Sequence, residues 1–258
     1  MIRVGTSGYS YKDWVGPFYP KGTPQDRFLE YYSRHFDACE INFTYYRIPD
    51  ARTLSRMVEK SDRKVEFVVK ANQDMTHSDK AGDSEFRAFR DALKPMEEAG
   101  VFGGLLAQFP FSFHYNEAGR DRLKSIRDRF NGLPFVAEFR NVAWMTAETF
   151  DFLRRNDIGF CCVDEPRLKG LMPTVVAATS DVGYVRFHGR NAAKWWTHDR
   201  PEERYDYLYS ADELSEWVPR IQEIDSNSKK TFVFMNNHFQ AKAVSNAQML
   251  LSMLQDKG

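Results

Sequence analysis

The chain has no excess of charge that would draw its whole surface to a polyanion, because 36 Lys and Arg stand against 36 Asp and Glu. Any binding to nucleic acid or to an anionic bilayer must therefore come from a local patch. Cysteines are few. Cys39, Cys161 and Cys162 are an odd number set in apolar runs, which excludes a disulfide framework and reads as the reduced, buried thiols of a cytoplasmic protein. No apolar run approaches the ~20 residues of a membrane span, and Met1-Ile-Arg-Val leads into a strand rather than an export signal. Nothing rich in proline, glycine or serine marks a linker, so residues 1–258 are expected to form a single domain.

Apolar and aromatic side chains are plentiful. With 42% hydrophobic and 15% aromatic content over 258 residues, the chain can bury a large core. Eight short runs read as strands: Ile2 to Thr6, Ala38 to Asn42, Val65 to Lys70, Gly104 to Gln108, Phe135 to Phe139, Gly159 to Asp164, Gly183 to His188 and Thr231 to Asn236. Helical spacing separates most of them. Thr23-Pro24 precedes Phe28, Leu29, Tyr32 and Phe36, and the capping box Ser210-Ala-Asp-Glu213 precedes Leu214, Trp217, Ile221 and Ile224. Further helices are marked by Phe86, Phe89 and Leu93, by Leu123, Ile126 and Phe130, by Phe150 and Leu153, and by Ala243, Ala247 and Leu250. Pro166 to Asp181 holds two prolines and no clear period, so the sixth crossover is expected to lack a regular helix.

Strands alternating with helices predict an α/β fold, a single (β/α)8 TIM barrel, with an open doubly wound sheet as the runner-up. The polar residues favour the barrel. Strand after strand ends in a charged or amide side chain: Glu40 and Asn42, Lys70, Gln108, Glu138 and Arg140, Asp164, Arg186 and His188, Asn236 and His238. In a barrel these ends converge on one mouth, where sites of this fold sit. In Tyr184-Val-Arg-Phe-His-Gly-Arg190, strand alternation puts Arg186, His188 and Arg190 on one face.

The segments GTSGYSYKDWVGPFYP, EINFTYYRIP, VVKA, LLAQFPFSF, AEFRNVAW, YVRFHGR and FVFMNNHFQAKAVSNA, in this order along essentially the whole chain, resemble the YecE-like family of unknown function (domain of unknown function seventy-two). The resemblance implies a (β/α)8 barrel and brings no settled activity. The chain departs from the family pattern at Phe43, where serine is usual, and at Asn141, where histidine is usual.

The chemistry is weighed residue by residue. Glu138, Asp164, His188 and His238 are suitable types for a divalent metal, but Arg140 and Arg186 share faces with two of them and would repel a cation. No metal and no cofactor is expected. Glu40 and Glu138 are the carboxylates available for glycosidase-type chemistry, and Lys70 is a Schiff-base candidate whose blander reading is an ion pair with Glu40 or Glu138. The purely structural alternative has Glu40, Lys70, Glu138, Arg140, Asp164 and Arg186 neutralise one another inside the barrel.

Loop aromatics add Tyr9, Tyr11, Trp14, Phe18 and Tyr19 after the first strand, and Lys194, Trp195, Trp196, His198 and Arg200 after the seventh. Rings interleaved with cations suit a flat or sugar-like ligand carrying phosphate. Two readings survive. One is a metal-independent hydrolase or lyase acting on a phosphorylated or nucleic-acid-like substrate, with Glu138 or Glu40 as base, His188 as acid and Lys70 as a further catalytic candidate. Its substrate would be held by Arg140, Arg186, Arg190, Asn42, Tyr9, Trp14, Trp195, Asn236, Asn237 and His238. The other is a non-catalytic nucleotide or polyanion binder using the same mouth. The expected partner is a small anionic or phosphorylated ligand, with nucleic acid as the larger alternative and no membrane.

Overall fold

The apolar runs become a closed, all-parallel barrel in the computed structural model, which describes residues 1–78 and 80–255. The strands follow chain order around the barrel: β1 (Ile2–Ser7), β2 (Ala38–Ile41), β3 (Glu66–Lys70), β4 (Phe102–Gln108), β5 (Phe135–Glu138), β6 (Gly159–Asp164), β7 (Val182–Phe187) and β8 (Lys230–Met235). β8 closes on β1 with Ile2 opposite Thr231 and Thr6 opposite Met235. The open-sheet alternative is therefore not adopted.

Helices α1 (Phe28–Tyr32), α2 (Ala51–Lys60), α3 (Gln73–Thr76), α4 (Asp83–Glu98), α5 (Glu117–Arg129), α6 (Ala147–Arg155), α7 (Ala211–Ser215), α8 (Val218–Ser226) and α9 (Lys242–Gln255) run between and after the strands. α4 shows why they pack there. Phe86, Phe89, Ala92, Leu93 and Met96 recur at helical spacing and are all buried, and each large one contributes about 1.5–3 kcal/mol by leaving water. α2 went unremarked in the sequence because its apolar stripe is thin: Leu54, Met57 and Val58 are its buried residues, and the Asp50 side chain caps it by accepting from the Thr53 amide. The predicted capping box at Ser210 and Glu213 forms at the start of α7. As expected, no regular helix occupies the sixth crossover, between Asp164 and Val182. Among the described residues, no helix is long and apolar enough to cross a membrane.

The barrel interior is layered. At the N-terminal end Glu66 pairs with Arg3 at 3.1 Å and with Lys230 at 2.6 Å, which closes that end with charge. Phe232 and Tyr184 follow, both fully buried and 6.5 Å apart between ring centroids. Above them, toward the C-terminal ends of the strands, the interior turns polar.

Candidate functional site

The first polar layer is a closed ion network. Strand alternation turns Glu40 on β2, Glu138 on β5 and Arg186 on β7 inward, and all three are essentially without solvent exposure. Arg186 Nη2 donates to Glu40 Oε1 at 2.6 Å, and its Nη1 donates to Glu138 Oε2 at 2.5 Å. The other Glu40 oxygen accepts from the Tyr184 hydroxyl at 2.7 Å. Arg140 extends the network, with Nη2 2.7 Å from Glu138 Oε1 and Nη1 donating to Glu165 Oε2 at 2.8 Å. Burial pushes the Glu138 carboxyl up, but the positive charges of Arg140 and Arg186 outweigh this and hold it well below the usual range. Among the described residues Glu165 has Arg140 alone as a cationic partner, and burial prevails: its carboxyl is pushed up to about 7.

His188 also belongs to this layer. Its Nδ1 lies 3.0 Å from Asn236 Nδ2, so with the amide donating, the neutral ring carries its proton on Nε2, 3.2 Å from Glu138 Oε1. The contact with Glu138 lies outside hydrogen-bond geometry. Burial, reinforced by Arg140, lowers the His188 value to about 3. A ring so placed is held neutral across the physiological range by its burial and by the neighbouring guanidinium.

Above the network lies a cavity of about 670 Å³ at the C-terminal mouth, within the range of small-molecule sites. Lys70, Arg140, Arg186, Asn42, Asn236, His238, Tyr9 and Trp195 reach it, as the sequence suggested. Glu40, Glu138 and His188 lie beneath its floor and do not line it. Trp14 is fully buried beside it, donating from Nε1 to the His238 carbonyl at 2.7 Å. Asn237 instead ties loops together, donating to the Tyr207 carbonyl and to Asn246 Oδ1, both at 2.8 Å.

Two expected mouth residues face the other way. Asp164 ends β6 on the outer face, where it accepts from Tyr209 Oη at 2.7 Å and Trp217 Nε1 at 2.8 Å. Arg190 joins it there, forking onto both Asp164 oxygens at 2.9 and 2.7 Å and reaching Glu213 at 3.1 Å. The alternation fails at Gly189, whose φ of +88° turns the chain after His188; a Cβ there would stand 2.8 Å from that of Tyr207. With Asp164 on the outer face, Glu138, Asp164, His188 and His238, the four ligand types weighed in the sequence, do not converge. Among the described residues no group of three His, Cys, Asp or Glu side chains is arranged to hold a metal.

Lys70 departs from its blander reading. Among the described residues it pairs with no carboxylate: its Nζ donates to Gln108 Oε1 at 3.0 Å and lies 4.4 Å from the centroid of the Tyr45 ring. Local structure fixes both neighbours. Gln108 Nε2 donates to the Phe109 carbonyl at 2.7 Å, leaving Oε1 aimed at the lysine. The turn Phe43–Tyr45 is fastened over the end of β3 by Thr44 Oγ1, which donates to the Lys70 carbonyl at 2.6 Å, and by Asn72 Nδ2, which donates to the Thr44 carbonyl at 3.0 Å. Burial first, and then the nearby Arg186, lower the Lys70 ammonium to about 7.

Sequence reading missed several lining groups. His77 packs its ring edge-on to Tyr45 at 5.1 Å, and burial followed by the charge of Lys70 lowers it to about 4. Arg204 lies 5.4 Å from the Trp195 ring centroid, its buried Nε lacks a partner, and among the described residues it makes no ion pair. Tyr46 and Phe111 stand at the rim, 75% and 41% exposed, beside Trp196, a loop aromatic the sequence had singled out, at 55%. Phe43 also lines the cavity. Asn141 caps a turn by accepting from the Ala143 amide at 2.9 Å. His77 and Phe111 come from turns and Arg204 from the short 3-10 helix Pro201–Tyr205, none of them at a strand end, where only folding reveals direction.

Comparisons with known proteins agree with this architecture. The family model described as Protein of unknown function DUF72 matches residues 3–258. The UPF0759 protein YunF of Bacillus subtilis (strain 168) is 30% identical over 270 residues, covering 98% of this chain and 95% of that protein. A DUF72 family protein from Thermotoga maritima superposes with a TM-score of 0.91 at 37% identity, over 99% of both chains. One from Enterococcus faecalis gives 0.88 at 25% identity, over 99% of this chain and 96% of that one.

Proposed function

Because the chain belongs to the DUF72 family of proteins of unknown function, which lends it no reaction, we propose from the mouth alone that it is a hydrolase or lyase acting on a small anionic molecule with a flat or sugar-like ring. One observation carries this reading. Lys70 and Arg204 line an aromatic-walled cavity without a carboxylate partner among the described residues, whereas Arg140 and Arg186 are matched by glutamates. Two unmatched cations between rings favour an anionic guest, since each gains a partner that the protein does not provide. A cavity of about 670 Å³ suits a mononucleotide or sugar phosphate better than a strand. Lys70 is the group suited to chemistry, as an amine whose value near 7 lets it give or take a proton at working pH.

The consumption of Glu40, Glu138 and Glu165 by arginines favours a second reading, a non-catalytic nucleotide binder. Calorimetric titration with adenosine monophosphate, ribose 5-phosphate and a short single-stranded oligonucleotide tests the site. The small phosphates are expected to bind, more weakly as salt rises, and to lose affinity in Arg204→Ala. No binding, or binding indifferent to that change, would refute the site. Turnover of a bound phosphate compound that disappears in Lys70→Met would exclude the non-catalytic reading.

A further inference from the structure

We infer that Lys70 is a carbonyl-capturing amine, forming a Schiff base with an aldehyde or ketone that also bears a carboxylate or phosphate; this rests on the reading of the mouth as an anion site. A lysine does this when its amine faces a cavity, sheds its proton readily near working pH, and is paired with no carboxylate that would hold it as an ammonium. Lys70 meets these conditions. It stands at the C-terminal end of β3 inside the largest cavity described. Its direct neighbours are an amide oxygen and a phenol ring. The charged groups acting on it are Arg186 and Arg140, which disfavour the ammonium, and Glu138 and Glu40, which favour it but are already tied to those arginines.

The step balances without a cofactor. The Lys70 nitrogen lone pair forms a bond to the carbonyl carbon, the π electrons move to oxygen, and proton transfer from nitrogen to oxygen gives a neutral carbinolamine. A second proton, taken up from bulk solvent through the open mouth, lets that oxygen leave as water, and the nitrogen lone pair closes the C=N bond. The product is an iminium with one N–H. Gln108 Oε1, now 3.0 Å from Nζ and locked by its own amide bond to Phe109, accepts from that N–H. His77, a neutral imidazole lining the same cavity, is the side chain suited to carry the proton to the departing oxygen. Arg204 is placed to hold the anionic end of the guest. Such an iminium withdraws electrons from the adjoining carbon, which is the chemistry of a lyase.

The test uses the full-length protein with glyoxylate, pyruvate and glyceraldehyde 3-phosphate as probes and sodium cyanoborohydride as the reductant, whose hydride reduces the iminium carbon to a stable secondary amine. Intact-mass analysis should show one addition of the probe less its oxygen, and peptide mapping should place it on Lys70. In Lys70→Arg, whose guanidinium stays protonated, the adduct rate should fall by roughly tenfold or more to that of surface lysines. His77→Phe should slow adduct formation while leaving the binding of inorganic phosphate unchanged. Phosphate titration separates the two ideas. Phosphate binding at the mouth with no Lys70-specific adduct from any probe overturns the Schiff base and leaves the anion site standing. A Lys70 adduct without phosphate binding upholds the amine and refutes the anion site. Equal labelling of wild type and Lys70→Arg overturns the inference whatever phosphate does.

Discussion

Two layers of charge lie one above the other in this barrel, and they are built in opposite ways. In the lower, Arg186 and Arg140 meet Glu40, Glu138 and Glu165 within 2.8 Å, with the three glutamates buried and the arginines at the cavity floor. In the upper, Lys70 and Arg204 face an open cavity with aromatic rings and an amide for company. A matched buried network leaves no capacity for a guest, and its ions repay their desolvation to one another. An unmatched cation in a pocket does so only when something arrives. The difference separates support from site better than residue type does, since arginine and histidine occur at both levels.

The sharpest way to break the comparison is to remove a lower-layer partner. Arg186→Ala strands Glu40 and Glu138 without their shared cation, and a buried uncompensated charge costs about 3–5 kcal/mol. Urea denaturation should show a matching fall in midpoint with an unchanged slope. Arg186→Lys keeps a charge but loses the two-pronged grip, and should fall between wild type and alanine.

Next in size is the upper layer. Arg204→Ala should change stability by no more than about 0.5 kcal/mol, as for surface substitutions, yet weaken phosphate-bearing ligands by about 1.5–3 kcal/mol, the scale of one charged hydrogen bond. A stability loss comparable with Arg186→Ala would erase the distinction between the layers. Trp196→Ala, at the exposed rim, should leave stability within the same margin. It should weaken adenosine monophosphate more than ribose 5-phosphate, by about 1–3 kcal/mol if the base stacks there.

The last effect is a matter of pH. Lys70 titrates near 7 when folded, below its ordinary value of 10.5. Between those limits the unfolded chain holds the extra proton, so this residue makes wild-type stability rise with pH over that window. Its penalty is greatest below pH 7. Lys70→Met removes it, so the variant's gain over wild type should be largest near pH 6 and shrink toward pH 10.5, read as paired thermal melts. His188 works at lower pH. Its folded value near 3 lies below 6.5, so its contribution to stability is lost as pH falls from 6.5 toward 3. An acid midpoint unchanged in His188→Gln would remove it from the buried layer.

Much of this could be read in advance. The barrel order, the helixless sixth crossover and the aromatic loops follow from run length, helical spacing and the two prolines after Asp164. The site was less legible. The row Arg186, His188, Arg190 looked like one cationic wall, but Arg186 is spent on Glu40 and Glu138, His188 is a buried neutral ring beside Asn236, and Gly189 turns Arg190 out to Asp164. Lys70 looked like one more member of an ion cluster and is instead free of it. His77 and Arg204 gave no signal, because neither ends a strand.

The sequence by itself determined the periodicities, and through them which segments became strand or helix and which strand ends would be polar. Those are local properties, set by the two-residue and 3.6-residue repeats of backbone geometry. Only the tertiary structure decided which charge met which. Glu40 and Arg186 are 146 residues apart and touch at 2.6 Å, while Lys70, on the strand beside that of Glu40, pairs with no carboxylate among the described residues. Pairing between charges depends on distances of a few ångströms across a closed barrel, and no local repeat encodes them.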